Sequence, residues 1–427
     1  MYKLKQLIPQ NIKNLYHLAL AILANVAYGF PSRKIKIIGV TGTNGKTTTV
    51  QMIAKILEEA GKKVAMASTI NFRINGVEEK NLSHYTTKSS FAMQEFIKKA
   101  VSAGCKYLVL ETSSHSIDQY RVWGINYHTA VITNVTREHL DYHKTMESYR
   151  KVKLKLFEKV KTAVVNLDME NSDDFLKFNA DKKFGYTIKS NQESRIKNQE
   201  IKILKAENIK LDVDKSEFII RDSKFIIHLP GEFNIENALA ATCVGLSENI
   251  SPETISKALG KIKEILGRME HIENNRELDI IVDFALTPDA LDKLYGFLLK
   301  TKKRNDSRII AVFGSCGERD RGKRPMMGEI VSQYADFIII TNDEPYHEDP
   351  DKIIEEIAKG IKNKKENETF WKIPDRRQAI RKALEIASFG DTIAITGMGA
   401  EESMVVGDEK IPWNDRKVVE EELRKLQ

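Results

Sequence analysis

Residues 40–49 read Val-Thr-Gly-Thr-Asn-Gly-Lys-Thr-Thr-Thr, and their types and spacing suit one chemistry. An apolar, β-rich run from Lys34 to Val40 precedes them, and a helix-like segment from Thr47 to Glu59 follows. A turn built on Gly42, Thr43, Asn44 and Gly45 between strand and helix aims several backbone N–H groups, and the positive end of the helix dipole, at one spot. Lys46 adds a full positive charge there, and Thr47, followed by Thr48, offers a hydroxyl to a magnesium ion. Such a turn cradles the phosphates of a nucleotide. The general pattern places a glycine five residues before Gly45, where this chain has Val40. A glycine turn that merely joins strand to helix is the alternative. Gly42, Gly45, Lys46 and Thr47 together in a strand–turn–helix context speak against it.

Two more chemistry-bearing positions fall where strands are predicted to end. Tyr107 to Glu111 reads as a buried strand running into Thr112-Ser113-Ser114-His115, and Val131 to Asn134 runs into Arg137-Glu138-His139-Leu140-Asp141. Open α/β sheets bind ligands at the carboxyl ends of their strands. A carboxylate, Glu111, and an imidazole, His139, at neighbouring strand ends can hold Mg2+ near the phosphates, although magnesium prefers oxygen ligands. Taken singly, each residue type is more often a hydrogen-bonded structural group. Their joint position beside a phosphate loop favours function.

The elements that must position these residues alternate. Strands are predicted at Lys63 to Thr69, Tyr107 to Thr112 and His128 to Asn134, and helices at Ser89 to Ala103 and Met146 to Val160. This pattern builds an α/β fold whose central, P-loop-type sheet is mostly parallel, with helices on both faces. Between about residues 185 and 230 the runs shorten and alternate, as in Glu217 to Arg221 and Lys224 to His228, which reads as antiparallel. A second α/β series starts near Asp279, with strands at Asp279 to Phe284, Arg308 to Phe313, Phe337 to Ile340 and Thr392 to Ile395. The expected organisation is a short helical segment over 1–34, a central nucleotide-binding domain over 35–265 and a Rossmann-like α/β domain over 266–427. Lys362 to Glu368 reads as a charged surface segment.

Composition agrees. A chain of 427 residues exceeds what one core usually supports. An apolar fraction of 41% with 30% charged residues is that of a globular protein rather than a disordered one. Cys105, Cys243 and Cys316 are scattered, which excludes a disulfide framework or zinc site and points to a reducing cytoplasm. The net charge of +7 suits an acidic small-molecule substrate or an anionic membrane surface, and lysines spread along the whole chain give no nucleic-acid signature. Asn14 to Phe30 is mostly apolar but interrupted by His17 and Asn25, too short for a span of about 20 apolar residues. It is expected to pack on the domain's own core; the alternative is a helix on a membrane surface, aided by Lys3, Lys5 and Lys13.

With these residues in view, the chain resembles the Mur ligase family and its MurE-type branch. The resemblance rests on Thr41 to Thr47, Glu111-Thr-Ser-Ser-His115, Gln119-Tyr-Arg121, Asn134 to His143, Leu229 to Asn237, Gly267-Arg-Met-Glu270, Val282 to Asp289, Phe313 to Gly328 and Asp343-Glu-Pro-Tyr346. It implies an ATP-dependent ligase that adds an amino acid to a muramoyl dipeptide, a peptidoglycan precursor, through an acyl phosphate. It further implies that Lys46 and Thr47 hold the phosphates, that Thr47, Glu111, His139 and a CO2-carbamylated Lys153 organise Mg2+, and that Lys46, Glu111, His139 and Lys153 carry the chemistry. Asn234 and Asn237 match an adenine-side motif, and Arg268 and Asp283 match nucleotide contacts from the C-terminal domain. Thr86, Thr87, Ser113, Gln119 and Arg121 match acceptor contacts. Arg319, Asp343, Glu344, Tyr346, Gly397 and Glu401 match the surroundings of the incoming amino acid. A cytoplasmic monomer acting on small molecules is expected.

Four departures bear on the substrates. Only 34 residues precede the first predicted strand, where the family has a uridine-binding domain of about a hundred residues. The expectation is therefore a loosely held UDP end, or a different or lipid-linked acceptor. Leu286 stands where the family has histidine, removing one nucleotide-side contact. Tyr346 stands where diaminopimelate-adding members have arginine, and a phenol cannot pair bidentately with a second carboxylate. That favours lysine or another amino acid. Gly397-Met-Gly-Ala-Glu401 also departs from the usual run near the amino acid. Ligases that extend folate, cyanophycin or pseudomurein peptides remain alternatives, as does a silent partner that uses nucleotide as a switch.

Overall fold

Alternating apolar runs of the first half assemble into nine strands, with residues 9–83, 85–190 and 200–426 described in a computed structural model. The strands are β1 (Lys36–Thr41), β2 (Val64–Ala67), β3 (Asn71–Ile74), β4 (Val77–Lys80), β5 (Tyr107–Glu111), β6 (Tyr127–Ile132), β7 (Thr162–Asn166), β8 (Lys182–Thr187) and β9 (Ile201–Lys205). Their order across the sheet is β4-β3-β2-β5-β1-β6-β7-β8-β9. Pairing is parallel from β2 through β9 and antiparallel only at the β2–β3–β4 edge. β5 and β7 are buried on both faces, which is why they read as near-continuous Val/Leu/Ile runs. β1 and β6 lie side by side at the middle, so their carboxyl ends bring the phosphate loop and the segment after Asn134 together.

The antiparallel reading of residues 185–230 holds for β10 (Glu207–Leu211), β11 (Ser216–Ile220) and β12 (Ser223–Ile227), which form a separate antiparallel sheet. It fails for β8 and β9, which pair in parallel and extend the main sheet. Strands near a sheet edge are half covered, and their period of two no longer separates parallel from antiparallel pairing.

The second sheet comprises β13 (Glu270–Ile272), β14 (Asp279–Asp283), β15 (Ile309–Phe313), β16 (Phe337–Ile340), β17 (Phe370–Lys372) and β18 (Thr392–Thr396), in the order β13-β14-β18-β15-β16-β17. All pairs are parallel except β13 with β14. A hairpin of β19 (Ser403–Val406) and β20 (Glu409–Pro412) follows.

Among the helices, α1 (Gln10–Tyr28) packs against α3 (Ser90–Ser102), while α2 (Lys46–Glu59) follows β1 and lies against α6 (Glu232–Ser247). The short α4 (Ser114–Asp118) follows β5, and α5 (Met146–Leu154) is shorter than expected, tightening to a 3-10 turn at Lys155–Phe157. In the second half, α7 (Pro288–Lys300) and α8 (Lys323–Tyr334) cover one face of the sheet. The expectation that α1 packs on the domain's own core holds for one face only. Its buried residues are Ala21, Ala24 and Asn25, whereas Ile12, Leu15, Tyr16, Leu23 and Val26 face outward. Polar anchors hold the inner face: Asn25 Nδ2 donates to the Trp123 oxygen at 2.9 Å, and Asn14 Nδ2 to Asp118 Oδ2 at 3.0 Å.

Candidate active site

The phosphate loop is held from below by the strand beside it. Thr43 N donates to the Asn134 oxygen at 2.9 Å, Asn44 N to Asn134 Oδ1 at 2.8 Å, and Thr133 Oγ1 to the Asn44 oxygen at 2.6 Å. Gly45 caps α2 with φ +80°, and a Cβ there would stand 2.3 Å from Asn237 Oδ1. Glycine is therefore required both by the left-handed backbone and by the close approach of α6. Lys46 Nζ donates to the Thr43 oxygen at 2.8 Å, so its ammonium lies over the loop. Burial holds that ammonium below its ordinary pKa, against the opposing pull of Glu111.

Glu111, at the end of β5, is almost fully buried. It accepts from Thr47 Oγ1 at 3.0 Å, Thr69 N at 2.8 Å and Thr69 Oγ1 at 3.0 Å. His139 sits at φ +58° before the one-turn helix Leu140–His143, with His115 edge-on at 4.6 Å between ring centroids. Its buried Nδ1 has no hydrogen-bond partner among the described residues, and burial, reinforced by His115, keeps the ring neutral. Lys153, on α5, is fully buried behind the loop, not in the cleft; its Nζ donates to the Gly42 oxygen at 2.9 Å. Burial, reinforced by Lys46, holds its amine well below the usual lysine pKa.

Among the described residues no cluster of three or more His, Cys, Asp or Glu side chains could hold a metal. A hard cation that takes most of its ligands from phosphate and water needs fewer. The Thr47 hydroxyl, the Glu111 carboxylate and the orphaned His139 nitrogen fit that smaller share.

The second sheet supplies the opposite wall of a cleft of about 470 Å3. Arg268 lies over the Phe284 ring at 4.4 Å and donates from Nη2 to Thr47 Oγ1 at 3.3 Å. Asp283, at the end of β14, accepts from Met269 N and Ala285 N, both at 2.7 Å, which fixes the turns around it. Asn234 donates to the Pro230 oxygen at 2.8 Å, and Asn237 donates to Asn234 Oδ1 at 3.2 Å, so the two asparagines of α6 form one unit beside Gly45.

The expected acceptor residues gather on the first-sheet side. Thr86, Ser113, Gln119 and Arg121 line the cleft, while Thr87 sits behind them, donating to the Glu111 oxygen at 3.0 Å. Arg121 Nη1 donates to the Thr87 oxygen at 2.6 Å. Of the residues expected near the amino acid, Arg319, Glu344, Tyr346 and Glu401 line the cleft. The Arg319 guanidinium lies 5.6 Å from the Tyr346 ring centre, and Tyr346 OH donates to Glu344 Oε2 at 3.2 Å. Asp343 and Gly397 are placed differently: they pack together behind this wall, a Cβ on Gly397 falling 2.8 Å from Asp343 Oδ2. Burial pushes the Asp343 carboxyl up to about 6. Gly42, Thr87, Lys153, Asp343 and Gly397 thus support the cleft without lining it.

Several cleft residues escaped the reading of the sequence. Lys323 Nζ donates to Glu138 Oε1 at 3.0 Å and to the Leu286 oxygen at 2.9 Å, joining the two sheets through a pair that is at most 5% exposed. Asn44 Nδ2 donates to Asp289 Oδ2 at 2.9 Å, and Lys293 lies 3.5 Å from Glu236 Oε2. Glu138, Lys323 and Asp289 fall inside runs that carry the resemblance, and that was the available signal; nothing in the sequence paired them. Leu286 lines the cleft, and its backbone oxygen accepts the bond from Lys323.

Comparison with known proteins agrees with this geometry. The Mur ligase middle domain matches residues 40–245, and the Mur ligase glutamate ligase domain matches residues 267–399. The chain is 38% identical over 415 residues to the UDP-N-acetylmuramoyl-L-alanyl-D-glutamate–2,6-diaminopimelate ligase of Syntrophomonas wolfei, covering 95% of this chain and 82% of that protein. The enzyme of the same name from Aquifex aeolicus is 38% identical over 410 residues, covering 94% and 80%. A solved structure of a ligase of that name superposes with a TM-score of 0.60 at 30% identity over 92% of this chain and 79% of the other. Folylpolyglutamate synthase of Mycobacterium tuberculosis shares the fold, with a TM-score of 0.69 at 15% identity over 89% and 91%. With the two matched domains spanning most of its length and a relative 38% identical over 95% of it, the chain is a member of the Mur ligase family.

Proposed function

We propose that the protein joins an amino acid to the peptide end of a muramoyl dipeptide, using ATP to activate the acceptor's carboxylate, in the service of peptidoglycan synthesis. The observation that supports this best is the meeting of the Thr43–Thr47 turn, Arg268 and the Ser113–Arg121 segment in one cleft. The acceptor carboxylate attacks the γ-phosphorus, the bond to the β-γ bridging oxygen breaks, and ADP departs, leaving an acyl phosphate. The amine then attacks the acyl carbon, loses a proton, and inorganic phosphate leaves as the amide forms. Phosphoryl transfer of this kind is mainly positioning and charge neutralisation. Lys46 and the loop's backbone N–H groups hold the β- and γ-phosphates, with Arg268 closing from the other wall. Asn234, Asn237 and Asp283 shape the adenosine side. Thr47, Glu111 and His139 would hold Mg2+, which when bound would supply charge neutralisation at the phosphates. Thr86, Ser113, Gln119 and Arg121 hold the acceptor, and Thr87 sets the strand end beneath them. Closing residues 266–427 over 35–265 excludes water, which would hydrolyse the acyl phosphate.

Lys153 is carbamylated in this reading. A buried amine held neutral is the form that adds to CO2, and the resulting carbamate would supply an anion beside the loop. Lys153→Ala is then inactive and partly rescued by short carboxylates, whereas CO2 depletion without effect on the wild type would remove the assignment. The protein acts as a monomer in the cytoplasm, where ATP is supplied.

For the amino acid, Tyr346 and Glu344 favour a side chain ending in an amine, such as lysine, over one ending in a second carboxylate; Asp343 and Gly397 set this wall from behind, and Arg319 and Glu401 flank it. The relatives are named for 2,6-diaminopimelate, which makes it the direct competitor. Phosphate release measured with ATP, muramoyl dipeptides with and without UDP, and a panel of amino acids tests both points. Release that requires a muramoyl dipeptide and one amino acid is expected. Nucleotide binding without turnover for any pair would sink the ligase reading, and turnover with diaminopimelate alone would sink the choice of lysine.

A further inference from the structure

Surface helices normally turn a large apolar face inward and a polar face to water. α1 does the reverse. Its inner face is small and polar, with Ala21 and Ala24 fully buried and Asn14 and Asn25 hydrogen-bonded to the body of the protein. Its outer face carries Ile12, Leu15, Tyr16, Ile22, Leu23 and Val26, with the exposed Ala19 bridging the two halves at helical spacing and Leu15 and Val26 each 63% exposed. Trp123, whose backbone oxygen holds Asn25, is itself an exposed aromatic.

Charge singles out the occupant. No aspartate or glutamate occurs before Glu58, while Lys3, Lys5, Lys13, Arg33 and Lys34 lie in the same stretch. Lys13 stands near the start of α1, and the exposed Arg33 and Lys34 follow its end, so cations flank the apolar stripe at both ends. The carboxylate in contact with α1, Asp118, is on the inner side and is taken up by Asn14 and Tyr142. A second copy of the chain is a poorer fit. A stripe about 28 Å long and about 10 Å wide offers less than the roughly 800 Å2 per partner of a stable interface. No helix among the described residues is long and apolar enough to cross a membrane.

We infer that α1 docks the protein on an anionic lipid bilayer, lying in the interface with Leu15, Ile22, Leu23 and Val26 among the acyl chains and the flanking cations at the headgroups. The inference is independent of which acceptor the cleft takes. Flotation of the full-length protein with phosphatidylcholine vesicles, with and without phosphatidylglycerol, tests it. Co-flotation with the anionic vesicles at low salt is expected, falling as salt is raised. The double variant Leu15→Glu/Leu23→Glu should lose roughly tenfold or more of this binding while keeping its melting temperature and its phosphate release with a soluble acceptor. Wild type that stays unbound on anionic vesicles at low salt overturns the inference, as does a double variant that floats equally well. A dimer in light scattering that the double variant dissolves, without lipid binding by the wild type, assigns the stripe to a second copy and also overturns it.

Discussion

Lys46 and Lys153 lie on the same loop from opposite sides, and the difference in their surroundings separates their roles. Lys46 faces the cleft and can exchange its bond to the Thr43 oxygen for a phosphate oxygen. Lys46→Ala should lower kcat by roughly a hundred- to a thousandfold, the cost of losing one charge-stabilising donor, with an unchanged circular dichroism spectrum; phosphate release at wild-type rate would refute its phosphate role. A second consequence concerns acid stability. Burial lowers His115 to about 3 and His143 to about 4, so both rings stay neutral in the folded protein well below the ordinary value of 6.5. The unfolded chain takes up protons there first, and stability should therefore fall as pH drops from about 6.5 towards 4, by up to about 1.4 kcal/mol per pH unit for each ring. Urea unfolding between those limits measures the slope, and His143→Gln, which cannot titrate, should flatten it by one ring's share. An unchanged slope in the variant would show that His143 protonates equally in both states.

At the scale of elements, the turn between β1 and α2 is where sequence and packing meet. Gly45→Ala forces a left-handed backbone on a residue with a Cβ and drives that Cβ into Asn237. A loss of about 1–2 kcal/mol from the backbone alone, and weaker binding of a fluorescent ATP analogue, are expected. Adding Asn237→Ala should recover the packing part and leave the backbone part. The position of this turn was legible because glycine, lysine and threonine at fixed spacing mark a strand-to-helix junction, and the gathering of Glu111 and His139 beside it was legible because both follow the ends of neighbouring apolar runs. Other features lay beyond the reach of sequence. β9 was misread because an edge strand alternates whichever way its neighbour runs, and the end of β8, its inner neighbour, was read with it. The outward stripe of α1 was not legible, because a mostly apolar run does not say which of its residues face the protein and which face outward. Asp343 and Gly397 matched a motif, yet a motif does not say which of its residues reach the cleft and which brace it.

Over the whole molecule, the two sheets communicate through Lys323 and Glu138, residues 185 positions apart whose side chains are almost wholly removed from water. A buried ion pair contributes little net stability over an apolar replacement, but removing one partner strands a charge and costs about 3–5 kcal/mol. Lys323→Met should therefore be strongly destabilising, Glu138→Gln less so because its amide keeps hydrogen-bonding capacity, and the double variant should recover most of the loss. The coupling, measured from the unfolding free energies of the four proteins, should be of the order of 2–3 kcal/mol. If the pair forms only when the cleft closes, the penalty moves elsewhere: each single variant should unfold at nearly the wild-type temperature yet show a raised KM for ATP, and again the double should repair it. Strict additivity in both stability and KM would mean that the bridge between the sheets carries no energy, leaving closure to the contacts of Asn44 with Thr287 and Asp289.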